Sequence, residues 1–276
     1  MYPKKWNAFF SSDWATLIYF AEKTSTLNNS QPIGIFDSGI GGLTVANAIH
    51  QLLPQENLIY FGDTAHLPYG DKSAAIIREY CQKIADFLLE QGCKVIVIAC
   101  NTASSVAYDM LKLQLKDRAL LVNVIDPVAK AVASSNSKKV GVIATPRTIK
   151  SKVYPTKLWQ HKQSLQIVEQ AARSLATIIE EGMFKDEQTI RAIVAYYLNN
   201  TKFENIDSLI LGCTHYPIIK PYFLAYFEQK VAIFDSTDTV AHYVHDLLEQ
   251  YNAKATFFCI GDKVYKSPHS YRAILE

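Results

Sequence analysis

The chain has 276 residues, a formal charge of +2, and 49% hydrophobic, 12% aromatic and 20% charged residues, the make-up of one large or two ordinary globular domains. That balance excludes a disordered, collagenous or coiled-coil chain, and near neutrality gives no electrostatic reason to expect nucleic acid or an acidic membrane as partner. Five scattered cysteines without a CxxC pair predict reduced thiols in a cytosol-like compartment.

Lys4 and Lys5 precede an apolar stretch, but Ser11, Ser12 and Asp13 break it and Glu22-Lys23 follow, unlike a signal peptide. Phe10, Trp14, Leu17, Ile18 and Ala21 share one helical face. Residues 1–30 are therefore expected to form an N-terminal extension, a short helix followed by a polar linker over 24–31. No run approaches the ~20 apolar residues that span a bilayer.

From Ile33 onward, short β-rich runs alternate with helical patterns. Strands are predicted at 33–36, 58–61, 95–99, 140–144, 165–168, 209–211 and 256–260. Helices are predicted at 43–53, from a cap at Asp71 or Ser73 to Gly92, and at 173–180, 189–197 and 239–251. This alternation implies doubly wound parallel sheets. The run 95–102 echoes 209–214: an apolar strand, a small residue, a cysteine, then a hydroxyl or amide. Residues 34–38 echo 141–145 in the same way. Two pseudo-symmetric α/β lobes are expected, the first from 31–125 with 238–276 and the second from 126–237.

Ligands of open α/β sheets bind beyond the carboxyl ends of the strands. Asp37-Ser38, Cys100-Asn101-Thr102, Thr145 and Cys213-Thr214-His215 occupy such positions. Cys81, Cys93 and Cys259 fall in apolar patterns and read as core filling. Cys100 and Cys213 stand at equivalent strand ends, one in each lobe, and a helix N-terminus after each would favour the thiolate. Zinc lacks a third and fourth ligand at a recognisable spacing. A redox disulfide between the two is open, though nothing resembles a thioredoxin motif. A Cys-His-Asp hydrolase using His215 and Asp37 leaves the second thiol unexplained. Thiols on opposite walls suit proton removal from one face of a carbon acid and delivery to the other. Hydroxyls, amides and backbone N–H groups would steady the intermediate. No pyridoxal-phosphate or dinucleotide motif is present, so cofactor-free chemistry is expected.

The blocks GIFDSGIGGLTV (34–45), YFGDTA (60–65), LPYG (67–70), ACNTAS (99–104) and LGCTHYP (211–217) resemble the signatures of bacterial glutamate racemases, in order, over about residues 33 to 240. The resemblance implies cofactor-independent, metal-free interconversion of L- and D-glutamate in the cytoplasm, supplying D-glutamate for peptidoglycan. It implies that Cys100 deprotonates D-glutamate and Cys213 L-glutamate, with Asp37 and His215 assisting. Ser38, Tyr69, Gly70, Asn101, Thr102 and Thr214 would hold the substrate together with Asp37 and His215. Glu180 matches a family Leu-Val-Glu-x-Gly segment less closely and reads equally as a surface carboxylate. Thr145 and Asp63 are secondary candidates, Asp63 also as a turn cap.

The sequence departs from the family in three places. His66 stands where an arginine is usual, Ala172-Arg173-Ser174 replaces a usual Cys-Pro, and the first thirty residues precede the family pattern. Some proteobacterial members with such an extension use it to bind a peptidoglycan-precursor activator, which makes that a candidate partner. The family includes monomers and homodimers. An aspartate racemase or related thiol isomerase or decarboxylase, and a non-catalytic binding protein on the same scaffold, are the competing readings.

Overall fold

The computed structural model describes residues 7–9, 16–20, 31–199, 201–260 and 263–266, with side chains over 31–199 and 201–250. Near the N-terminus the expected helix gives way to two antiparallel strands, β1 (Asn7–Phe9) and β2 (Thr16–Phe20). Thr-Leu-Ile-Tyr-Phe is a β-branched and aromatic run, and pairing outweighs its helical spacing. β2 adds antiparallel to the strand Leu58–Gly62, covering an edge that would otherwise stand open. Of the expected linker, only Gln31 is among the described residues.

Four strands then pair in parallel: β3 (Ile33–Asp37), β4 (Leu58–Gly62), β5 (Val95–Ile98) and β6 (Leu120–Asn123), in the order β4-β3-β5-β6. Between them run α1 (Leu43–Leu52), α2 (Ala74–Glu90) and α3 (Asn101–Leu115). Strands β3 and β5 are buried along their whole length because helices cover both faces. On one face Ile33, Ile35, Val95 and Val97 pack on Val45 and Ile49 of α1. On the other, Phe36, Ile96 and Ile98 meet Ile77, Ile84 and Leu88 of α2 and Ala107 and Leu111 of α3. Cys81 and Cys93 are buried in this second layer, as core filling requires. Each large side chain so buried contributes roughly 1.5–3 kcal/mol.

After α4 (Ile125–Ser134) a second parallel sheet forms from β7 (Lys139–Ala144), β8 (Gln166–Ala171), β9 (Ser208–Gly212) and β10 (Ala232–Phe234), in the order β8-β7-β9-β10. Counted among its parallel strands, each sheet thus carries the second, first, third and fourth in that order, so the echoing segments occupy matching places. Around the second sheet lie α5 (Pro146–Ser151), α6 (Val153–His161), α7 (Leu175–Glu180), α8 (Glu187–Leu198) and α9 (Lys220–Tyr226).

Helix α10 (Ser236–Thr256) returns to the first sheet, where Val240, Val244 and Leu248 share one cluster with Val45 and Ile49. The strand expected at 256–260 is β11 (Phe257–Ile260), paired antiparallel with β12 (Lys263–Lys266) in a sheet of their own. The side chain of Cys259 lies outside those described.

Candidate active site

In each sheet the chain leaves the first and third strands in opposite directions along the sheet, which opens a crevice at their carboxyl ends. Asp37 ends β3 and Cys100 follows β5; Thr145 follows β7 and Cys213 follows β9. One cleft between the lobes is lined by Ser38, Tyr69, Gly70, Cys100, Asn101, Thr102, Thr145, Glu180, Cys213, Thr214 and His215. Asp37 lies fully buried beside it. Asp63 does not line it, and instead holds a residue that does.

On the first wall, Cys100 caps α3, its sulfur accepting the Ala103 N–H at 3.4 Å. The Cys100 thiol donates towards Ser38 Oγ at 3.7 Å. Burial, reinforced by the nearby Asp37 charge, pushes this thiol up to about 12, while the Ala103 and Ser38 contacts offset part of the rise. Asp37 is anchored by the N–H groups of Gly42 at 3.0 Å and Gly39 at 3.2 Å. Across the lobes, the Thr214 hydroxyl donates to Asp37 Oδ1 at 3.4 Å. Tyr60 donates to the Gly39 carbonyl at 2.7 Å and fixes the same turn.

The second wall is built differently. Cys213 is followed by a short 3-10 turn, Tyr216–Ile219, so the expected helix N-terminus is absent on this side. His215 Nδ1 lies 3.7 Å from the Cys213 sulfur and Nε2 contacts a Glu180 carboxylate oxygen. Burial alone would lower the His215 pKa, but the Cys213 and Glu180 contacts and the Asp37 charge outweigh it and hold the ring well above the usual histidine value. Glu180 is therefore a cleft residue, not a free surface carboxylate. Its local sequence gave only an ambiguous match, because the partner comes from a distant strand end.

Hydroxyls line the floor. Thr102 and Thr145 lie 2.9 Å apart and Thr145 and Thr148 3.0 Å apart, joining the two lobes. Asn101 donates to Tyr154 at 2.8 Å. Thr148 and Tyr154 were not singled out by sequence, and both act from behind the lining. The Tyr69 hydroxyl donates to buried Asp63, whose other oxygen lies 2.7 Å from His66 Nδ1. The lobes approach closely at Gly41, where a Cβ would fall 2.5 Å from His215 Nδ1 and 2.8 Å from Thr214 Oγ1. Leu67, Pro68, Asp71, Arg173 and Thr177 also line the cleft, and sequence reasoning did not select them. Among the described residues no three His, Cys, Asp or Glu side chains converge on a metal-sized site, and no helix is long and apolar enough to cross a membrane.

A cleft between two like α/β lobes, with a thiol on each wall, defines a class of racemases, and the Asp/Glu/Hydantoin racemase family model matches residues 41–244. The glutamate racemase of Neisseria meningitidis serogroup C is 41% identical over 225 residues, covering 81% of this chain and 82% of its own. The glutamate racemase isoform RacE1 of Bacillus anthracis superposes with a TM-score of 0.77 at 33% identity, covering 81% of this chain and 84% of that one. The Francisella tularensis glutamate racemase, solved in complex with D-glutamate, gives 0.75 at 38% identity over 80% and 82%. This chain belongs to the glutamate racemases of the Asp/Glu/Hydantoin racemase family.

Proposed function

We propose that the protein interconverts L- and D-glutamate by a two-thiol, cofactor-independent mechanism, in the cleft between a first lobe (31–125 with 238–276) and a second (126–237). The observation that carries it is the placement of Cys100 and Cys213 after equivalent strands on opposite walls of one cleft.

In one direction the Cys100 thiolate takes the Cα proton of D-glutamate and the Cys213 thiol delivers a proton to the opposite face. In the other direction the roles exchange, so the thiols swap protonation state at each turnover. A buried thiol pushed up to about 12 is a poor source of thiolate at rest. It is a correspondingly strong base towards a weak carbon acid once its proton has gone. His215, held protonated by Glu180, places a positive charge beside the Cys213 sulfur where negative charge develops. Asn101, Thr102 and Thr145 supply donors for the substrate carboxylates, and Thr214, whose hydroxyl is given to Asp37, steadies that carboxylate just behind the lining, where its charge favours the substrate ammonium. Product D-glutamate would feed peptidoglycan synthesis in the cytoplasm, a reducing setting consistent with free Cys81, Cys93, Cys100 and Cys213. The N-terminal segment would bind a peptidoglycan-precursor activator; a chain starting at Ser30 with unchanged activity and activation would remove that part.

Purified protein without added cofactor should convert L-glutamate in D2O and incorporate deuterium at Cα of the product. Cys100→Ser and Cys213→Ser should each lower racemisation by at least about 10³-fold, the scale set by losing an essential acid or base. Full activity in either single variant would sink the two-base scheme. Faster loss of optical signal from L-aspartate would move the substrate to aspartate, and glutamate binding without isotope exchange would make the protein a receptor.

A further inference from the structure

The charges around the cleft are unequal. Asp71, Glu180 and Glu181 line it and Asp37 lies just beside it, against two cations, Arg173 and His215. His215 is engaged by Glu180. Arg173 reaches from the turn before α7 to Asp71 of the first lobe, Nη1 to Oδ1 at 3.1 Å, with the side chains 71% and 46% exposed. An ion pair that open to water contributes little to stability. Another carboxylate can therefore replace Asp71 on the guanidinium at little cost.

The guanidinium offers a planar fork of donors matched to a carboxylate, which a lysine would not. Glutamate carries two carboxylates and one ammonium, and it must pass an acidic rim to reach the thiols. The Asp71 turn is also held in place independently of Arg173. Arg147 Nε donates to the Lys72 carbonyl at 2.8 Å, and Gly70 lies so near Thr145 that a Cβ would meet the threonine Cβ at 3.0 Å. The Arg173–Asp71 pair is thus not needed to hold the lobes together and is available for exchange.

Building on the racemase reading, we propose that Arg173 receives the substrate at the cleft mouth, exchanging Asp71 for a carboxylate of the incoming dicarboxylic amino acid. Asp71 holds the guanidinium over the entrance between turnovers.

The test is steady-state racemisation of L-glutamate by the wild type, Arg173→Ala and Asp71→Asn over a series of ionic strengths. Arg173→Ala should raise KM about fivefold, the effect of losing one exposed charge contact, with kcat within about twofold. It should also make kcat/KM rise more steeply with ionic strength than in the wild type, because the acidic rim is then left uncountered and salt screens it. Asp71→Asn should leave KM unchanged or lower it, because the competitor for Arg173 is gone. A KM and salt dependence unaltered by Arg173→Ala would overturn the assignment. So would a rise in KM with Asp71→Asn equal to that with Arg173→Ala, which would make the pair a structural latch. A wild type that converts no glutamate would instead refute the racemase reading itself.

Discussion

At the scale of single residues, the two thiols are chemically unlike. Cys100 is buried beside Asp37, and its raised thiol should resist alkylation near neutrality. Carboxamidomethylation of Cys100, followed by peptide mapping, should keep rising about tenfold per pH unit past the ~8.5 of an ordinary thiol. A plateau below pH ~9 would contradict the burial argument. Glu180→Gln removes one of the two contacts that hold His215 protonated. A folded-state value raised above the unfolded one gives stability that is complete below the unfolded pKa and lost as pH rises through the folded one. Glu180→Gln should therefore cost about 2 kcal/mol in acid to neutral solution, the worth of a hydrogen bond to a charged group. The deficit should shrink in urea melts as pH rises through the His215 value, and the alkaline limb of the activity profile should move to lower pH. The sequence singled out both thiols, Asp37 and His215 as candidates, because each sits in a specific motif. Glu180 remained ambiguous, because its meaning depends on a contact between residues far apart in the chain.

At the scale of elements, the turn between β3 and α1 is the least tolerant. A Cβ at Gly42 would lie 2.6 Å from Asp37 Cβ and 2.9 Å from the Tyr60 hydroxyl, both buried. Gly42→Ala should destabilise the protein by about 1–3 kcal/mol, the cost of overpacking, and lose most activity by displacing Asp37. Thermal melts and initial rates check the two parts separately. Central strands such as β5 and β9 were readable because both faces are apolar. Elements with little pattern of their own were not: β10 spans three residues and β6 four. β8 runs on past the predicted 168 through Glu169 and Gln170, because it is an edge strand and only partly buried. Helix α3 was expected only as a helix start after Cys100, and its extent was not read, because its first turn, Asn101-Thr102-Ala103-Ser104, is polar yet buried. At the N-terminus, apolar residues with helical spacing were also good strand formers, and an open sheet edge decided between them.

At the scale of the whole molecule, the repeated strand order places the cleft between the lobes and the return of α10 closes the first of them. Leu248 is buried against α1, well away from the cleft lining. Leu248→Ala should cost about 2–4 kcal/mol in denaturant unfolding through the cavity it leaves. Its kcat/KM, measured well below the melting temperature, should match the wild type; a matching loss of activity would mean that α10 also sets the lobe geometry. The two walls carry different partners, Asp37 and Ser38 beside one sulfur and His215 with Glu180 beside the other. Enantiomers have equal free energies in water, so a racemase works against an equilibrium constant of one. The Haldane relation then forces kcat/KM to be equal for the two enantiomers at every pH and in every active variant. The asymmetry of the walls is confined to how each direction divides that ratio between kcat and KM, and to how much isotope each hand of the substrate picks up on the way to equilibrium.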